Sequence, residues 1–171
     1  MNAIVQSLFL LAVGGAKAAP LDRVIGFEGA WAIHQAENAC FIEQTLNSAT
    51  TVSIMRFADK TRNPRIFLRN AAWRSLTAGQ RVHLDLKWNG TDENGSFEQS
   101  GSGNGTVAQL GKEHVIWFSL PADALMSIFT WSNFLTISTE GNNLAIVPAR
   151  SLDPLMRLDS CARGAADPFA K

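Results

Sequence analysis

Hydrophobic and polar residues alternate with period two through much of the chain, as they do in half-buried strands. Trp31 and Ile33 alternate ahead of Cys40, Val52 and Ile54 sit in a Thr- and Ser-containing run, and Ile66 and Leu68 follow Pro64. The clearest segment spans residues 81–88: Val82, Leu84, Leu86 and Trp88 face one way while His83, Asp85 and Lys87 face the other. Residues 114–120 are apolar on both faces through Val115, Ile116, Trp117 and Phe118, which predicts a more central strand. Leu135 and Ile137 are expected to pair with Leu144 and Ile146 across a turn at Glu140-Gly141-Asn142-Asn143.

Two segments change period. After Pro121, Ala122, Leu125, Met126 and Phe129 give the i, i+3, i+4, i+7 stripe of a helix packed on something apolar, with Asp123 in its first turn. Near the C-terminus, Asp153 reads as an N-cap, Pro154 as the first helical residue and Gly164 as a stop, with Leu155, Leu158, Cys161 and Ala162 on one face. Strands followed by two late helices, with no βαβ alternation, predict a mainly-β single domain: an antiparallel β-sandwich-like fold over residues 22–164 whose helices cover an end or edge. Residues 165–171 are left as a tail.

Residues 89–111 turn polar and glycine-rich, with Asn-Gly at 89–90, 94–95 and 104–105. These are turn signals, and they predict a mobile surface loop with two hairpin turns flanking a short strand over residues 96–99. Gly101-Ser102-Gly103-Asn104-Gly105 lacks the Lys and Ser/Thr of a phosphate loop, and no calcium-loop pattern starts at Asp85 or Asp92. Asn89, Asn94 and Asn104 each head an N-x-S/T sequon, which matters only in a eukaryotic secretory pathway.

The N-terminus follows neither period. An apolar run around Leu8 to Val13, too short to span a bilayer, precedes Ala16-Lys17-Ala18, an A-x-A cleavage pattern. Residues 1–18 therefore read as a secretory signal peptide cut near Ala18, although no basic residue precedes the apolar core. No cysteine follows to carry a lipid anchor, so the product is expected to be free in the periplasm or secreted, without stable membrane insertion. The whole chain of 171 residues is 46% hydrophobic and balances 15 basic against 15 acidic side chains. That composition fits one globular domain and lacks the clustered basic excess of a nucleic-acid binder.

Cys40 and Cys161 are the only cysteines. In an exported chain such a pair becomes a disulfide, and each lies in phase with neighbouring aliphatics, so a bridge from the last helix to an early strand is expected. Neither belongs to a C-x-x-C redox motif.

Catalytic chemistry is sparse. His34, His83 and His114 have no metal-ligand spacing, and each is expected on the polar or mixed side of its strand. His83 and Asp85 share a strand face and form the one oriented base that a small hydrolase or metal-dependent enzyme could use, but no G-x-S-x-G elbow supplies a nucleophile. Of five tryptophans, Trp31, Trp88 and Trp117 fall in phase with aliphatics and read as core, which leaves Trp73 and Trp131 as candidate ligand or partner contacts.

The order of elements also resembles a known group. Trp31 ahead of Ala39-Cys40-Phe41-Ile42-Glu43-Gln44, a β-rich middle, a helix, a hairpin, and Pro148-Ala149-Arg150-Ser151-Leu152 leading into a helix with Leu155 and Leu158 are similar to bacterial invasion-associated locus B proteins. The chain lacks the extra cysteine pair common in the middle of that family. The resemblance implies a small periplasmic β-sandwich with an interaction or envelope-stress role and no catalytic residue. The expectation is thus an exported binding protein, with another envelope protein or a glycan as partner, no nucleic acid and no cofactor.

Overall fold

A computed structural model describes residues 23–36, 38–111 and 113–164. The leader expected over residues 1–18 and the tail over 165–171 lie outside them. The elements are β1 (Arg23–Glu28), β2 (Trp31–Ala36), β3 (Ala39–Thr45), β4 (Thr51–Phe57), β5 (Arg65–Arg69), β6 (Arg81–Asp92), β7 (Gly95–Leu110), β8 (Glu113–Ser119), α1 (Ala122–Trp131), β9 (Ser132–Thr139), β10 (Asn142–Pro148) and α2 (Asp153–Ala162). All ten strands join one sheet in the order β1-β2-β3-β4-β5-β8-β7-β6-β9-β10. Every pairing is antiparallel. Two connections break the meander: residues 70–80 carry the chain from β5 past β8 and β7 to β6, and α1 carries it from β8 across to β9.

Alternation puts one continuous apolar face on this sheet. Trp31 and Ile33, Cys40 and Ile42, Val52 and Ile54, Ile66 and Leu68, Ile116 and Phe118, Val82, Leu84 and Leu86, Leu135 and Ile137, and Ala145 and Val147 belong to a single buried cluster. Strands from opposite ends of the sheet share that cluster, so the sheet curls around it. The Thr50 hydroxyl, beside β4, donates to the Leu144 carbonyl of β10 at 3.0 Å. The mainly-β antiparallel domain with two late helices is what the chain adopts, and its layers come from one bent sheet instead of two separate ones. Each fully buried large aliphatic or aromatic side chain stabilises this arrangement by about 1.5–3 kcal/mol.

The helices close the concave side. Helix α1 buries Leu125, Ile128 and Phe129, and the Phe129 ring sits 6.3 Å from that of Trp31. Met126, expected in the stripe, is exposed, because the face turned to the core runs through Ile128 instead. Helix α2 buries Leu155, Leu158 and Ala162 against β2, β3 and β4. Its N-cap is Leu152 and Asp153 is already helical, one position from the expected start. Gly164 ends it at φ +63°, donating its N–H to the Cys161 carbonyl. Cys40 and Cys161 are bridged, with Cα atoms 6.0 Å apart.

The convex face carries a second cluster on β3, β4, β5 and β8: Phe41, Met55, Phe57, Phe67 and Val115, with Trp117 packed on it. These central strands are therefore buried on both faces, as the pattern of residues 114–120 predicts. Arg62 and Arg65 lie over the Phe57 ring, and Arg65 also over Trp117. Burial, and then the neighbouring Arg62 charge, hold the Arg65 guanidinium below its ordinary value.

Two expectations fail. Residues 95–110 are not a mobile loop but one strand, paired with β6 from Asp92↔Gly95 to Arg81↔Thr106. Only the Asn94-Gly95 signal makes a turn, and of the later glycines Gly105 serves packing. A Cβ at Gly105 would lie 2.8 Å from Ile116 Cγ2 and 3.0 Å from Leu84 Cδ1, so those side chains occupy the space that the glycine leaves. In the β9–β10 hairpin the turn is only Glu140-Gly141, both at positive φ. A register shift between Asn143 and Ala145 then moves Ala145 and Val147 inward and Ile146 out to solvent.

Gly105→Val is expected to cost about 1–3 kcal/mol by overpacking, seen as a lower urea midpoint at unchanged m-value. Gly103→Ala, whose Cβ would meet nothing within 4 Å, should leave the midpoint unchanged or raise it. Replacing Cys40 and Cys161 together by alanine is expected to lower stability by about 2–5 kcal/mol, since the bridge spans 121 residues. A thermal midpoint unchanged by reductant would contradict this.

Candidate functional site

Strand β6 runs past the end of the core. Val82, Leu84 and Leu86 point into it, Trp88 packs on its edge, and the same phase continues through Gly90 and Asp92 beyond it. Opposite them on β7 stand Gln99, paired with Trp88, and Phe97, paired with Gly90. The last turn of α1 reaches over this overhang. A Cβ at Gly90 would overlap the Trp131 carbonyl oxygen and crowd the Phe97 ring, so a bare backbone there lets the helix end seat against the hairpin. The β6–β9 register shifts at the same place, between Asn89 and Gly90, pairing Gly90 with Ser132.

The result is a cleft of about 430 Å³ lined by Trp88, Phe97, Trp131, Asp92, Glu93, Gln99, Ser127 and Ser132. Three aromatic side chains supply its apolar walls. Trp131 is 58% exposed, an unusual fraction for an indole in a domain that buries most of its large side chains. The Trp88 Nε1–H donates to Gln99 Oε1 at 3.1 Å, which fixes the indole plane and uses its one donor. Asp92 Oδ1 accepts the Asn94 N–H at 2.8 Å, holding the hairpin tip. Ser132 is only 3% exposed, and its buried hydroxyl has no hydrogen-bond partner among the described residues.

The residues singled out from the sequence distribute unevenly. Trp131 lines the cleft. Trp73 is half-buried, packs on the main core from the β5–β6 connection, and is not among the lining residues. Trp88, read as core from its phase, is half-buried and packs on the main core, and its open side is the second indole of the cleft. That opening was signalled four residues on, where Asp92 keeps the inward phase but cannot belong to a core. Trp31 is core as expected, and Trp117 is half-buried on the convex cluster.

His83 Nε2 lies 3.4 Å from Asp85 Oδ1, with both side chains largely exposed on the convex face. His34, expected on a polar side, is instead buried and stacked on Phe41 at 4.5 Å, because the convex face of β2 meets the second apolar cluster. Five strands separate His34 on β2 from His83 on β6, and His114 takes the opposite phase on β8, in line with inward Ile116. Among the described residues no group of three His, Cys, Asp or Glu could hold a metal ion.

The disulfide points to an oxidising, non-cytoplasmic environment. No helix among the described residues is long and apolar enough to cross a membrane. No family model matches the chain, and neither does any curated protein or solved structure at a significant level.

Ser132→Ala is expected to leave stability unchanged or to raise it by up to about 1 kcal/mol, because it removes a desolvated hydroxyl that makes no bond. Ser53→Ala should behave oppositely, losing about 1–2 kcal/mol, since that hydroxyl donates to Glu43 Oε2 at 2.8 Å. Chemical denaturation of the two variants side by side checks the contrast.

Proposed function

We propose that this chain is an exported, non-catalytic binding protein of the bacterial cell envelope, working in the periplasm or outside the cell, and that it holds a glycan in the cleft between β6, β7 and α1. The observation that carries this reading is the grouping of Trp88, Phe97 and Trp131 around a cavity whose rim is polar. Indole faces stack on the C–H faces of sugar rings, while carboxylates, amides and hydroxyls beside them meet the ring hydroxyls. A cavity of a few hundred Å³ suits one or two sugar units.

The compartment is supported by the disulfide and by the leader pattern of residues 1–18. Similarity to invasion-associated locus B proteins supports the same envelope setting and a role in interaction. The His83–Asp85 pair favours a hydrolase less, since it sits on an open convex surface and not in the cleft.

The test is retention of the purified protein on isolated envelope material, separated into glycan and protein fractions. Wild type and Trp73→Ala should be retained on the glycan fraction, and Trp131→Ala should lose at least fivefold in retention while unfolding at the same temperature. Retention on the protein fraction alone would replace the glycan with an envelope protein as partner. Equal retention of Trp131→Ala and wild type would remove the cleft from the function.

A further inference from the structure

The charge of the cleft narrows its ligand. Among the described residues, Asp92 and Glu93 are the only ionisable groups that line it, with no Lys, Arg or His beside them. Carboxylates accept hydrogen bonds and cannot donate them. Of the neutral donors, the Trp88 indole N–H is committed to Gln99, while the Trp131 indole N–H, the Gln99 amide N–H2 and the Ser127 hydroxyl stand beside it to meet ring hydroxyls. Aromatic faces add the negative side of their quadrupoles to the same space. The ionisable part of the lining is thus wholly negative, with aromatic faces beside it. An acidic sugar would be repelled, and a cationic one would gain an attraction to the two carboxylates that a neutral sugar lacks.

We infer that the glycan held here carries a free amine: a de-N-acetylated amino sugar, bound as the ammonium form. This rests on the reading of the cleft as a glycan site. The ammonium group lies between the carboxylates of Asp92 and Glu93 and an indole face, where charge-assisted hydrogen bonds and cation–π attraction act together. The pyranose ring covers Trp131. Acetylation of the nitrogen removes the charge and adds bulk, so the site distinguishes modified from unmodified amino sugars.

The experiment titrates the full chain with a glucosamine trimer and with the N-acetylglucosamine trimer, following tryptophan fluorescence and checking with calorimetry. The free amine should bind saturably and at least tenfold more tightly than the acetylated sugar. That preference should shrink with added salt and as pH rises past the amine's own pKa. Asp92→Asn with Glu93→Gln together should reduce affinity for the amine at least tenfold, with the fold intact because Asn keeps an acceptor for the turn at residue 94. Trp131→Ala should weaken it at least fivefold. Equal binding of the two trimers, or an amine affinity that ignores the double variant, overturns the inference while leaving a glycan site in place. Failure of both trimers to bind, with envelope retention still sensitive to Trp131→Ala, also overturns it. Failure of both with retention insensitive to Trp131→Ala overturns the glycan reading as well.

Discussion

Burial of one continuous apolar face governs this molecule. Ten antiparallel strands share a single sheet, and the inward residues of β2 through β10 fall in one cluster. A flat sheet of that width would leave its apolar side to water, so the sheet must bend and the remaining opening must be covered. Helix α1 covers the β6–β9 side and α2 the β2–β4 side. The bridge from Cys40 to Cys161 fastens α2 to that inner face, where the helix is held otherwise only by packing and by ion pairs such as Arg157 with Glu28 and Arg56 with Asp159.

The cleft is a by-product of the same constraint. Strand β6 is twelve residues long and its inward phase outruns the core, so the last inward positions need a different cover. They receive the end of α1, and only glycine at position 90 allows that approach. Because a short helix end covers less than a whole core does, Trp88, Phe97 and Trp131 stay partly open to solvent. An aromatic, acidic cavity follows from strand length, helix position and one missing side chain.

The convex face adds a second demand on the middle of the sheet. There Glu43 accepts from Ser53, Arg69 lies within ion-pair distance of Glu43 and Glu113, and the aromatic cluster lies alongside. Buried charge in such a place is tolerable because it is paired across neighbouring strands. These contacts tie β3, β4, β5 and β8 together on the side away from the main core, so the centre of the sheet is held from both faces.

By itself the sequence determined the mainly-β class, the antiparallel single domain, the two late helices, the cysteine bridge and the inward face of the 81–88 strand. All of these follow from short-range periodicity, from end signals such as Pro154 and Gly164, or from there being only two cysteines to pair. Tertiary structure decided the rest. Glycines at 101, 103 and 105 look the same in a turn and in a strand, and it is pairing with distant β6 that makes them strand, with Leu84 and Ile116 filling the space beside Gly105. Phase showed that Trp88 faces inward but not that it sits at the edge of the core and opens on a cleft. His34 reads as polar until Phe41 lies beside it. Periodicity records which side a residue faces, whereas what waits on that side is set by chain segments far away in sequence.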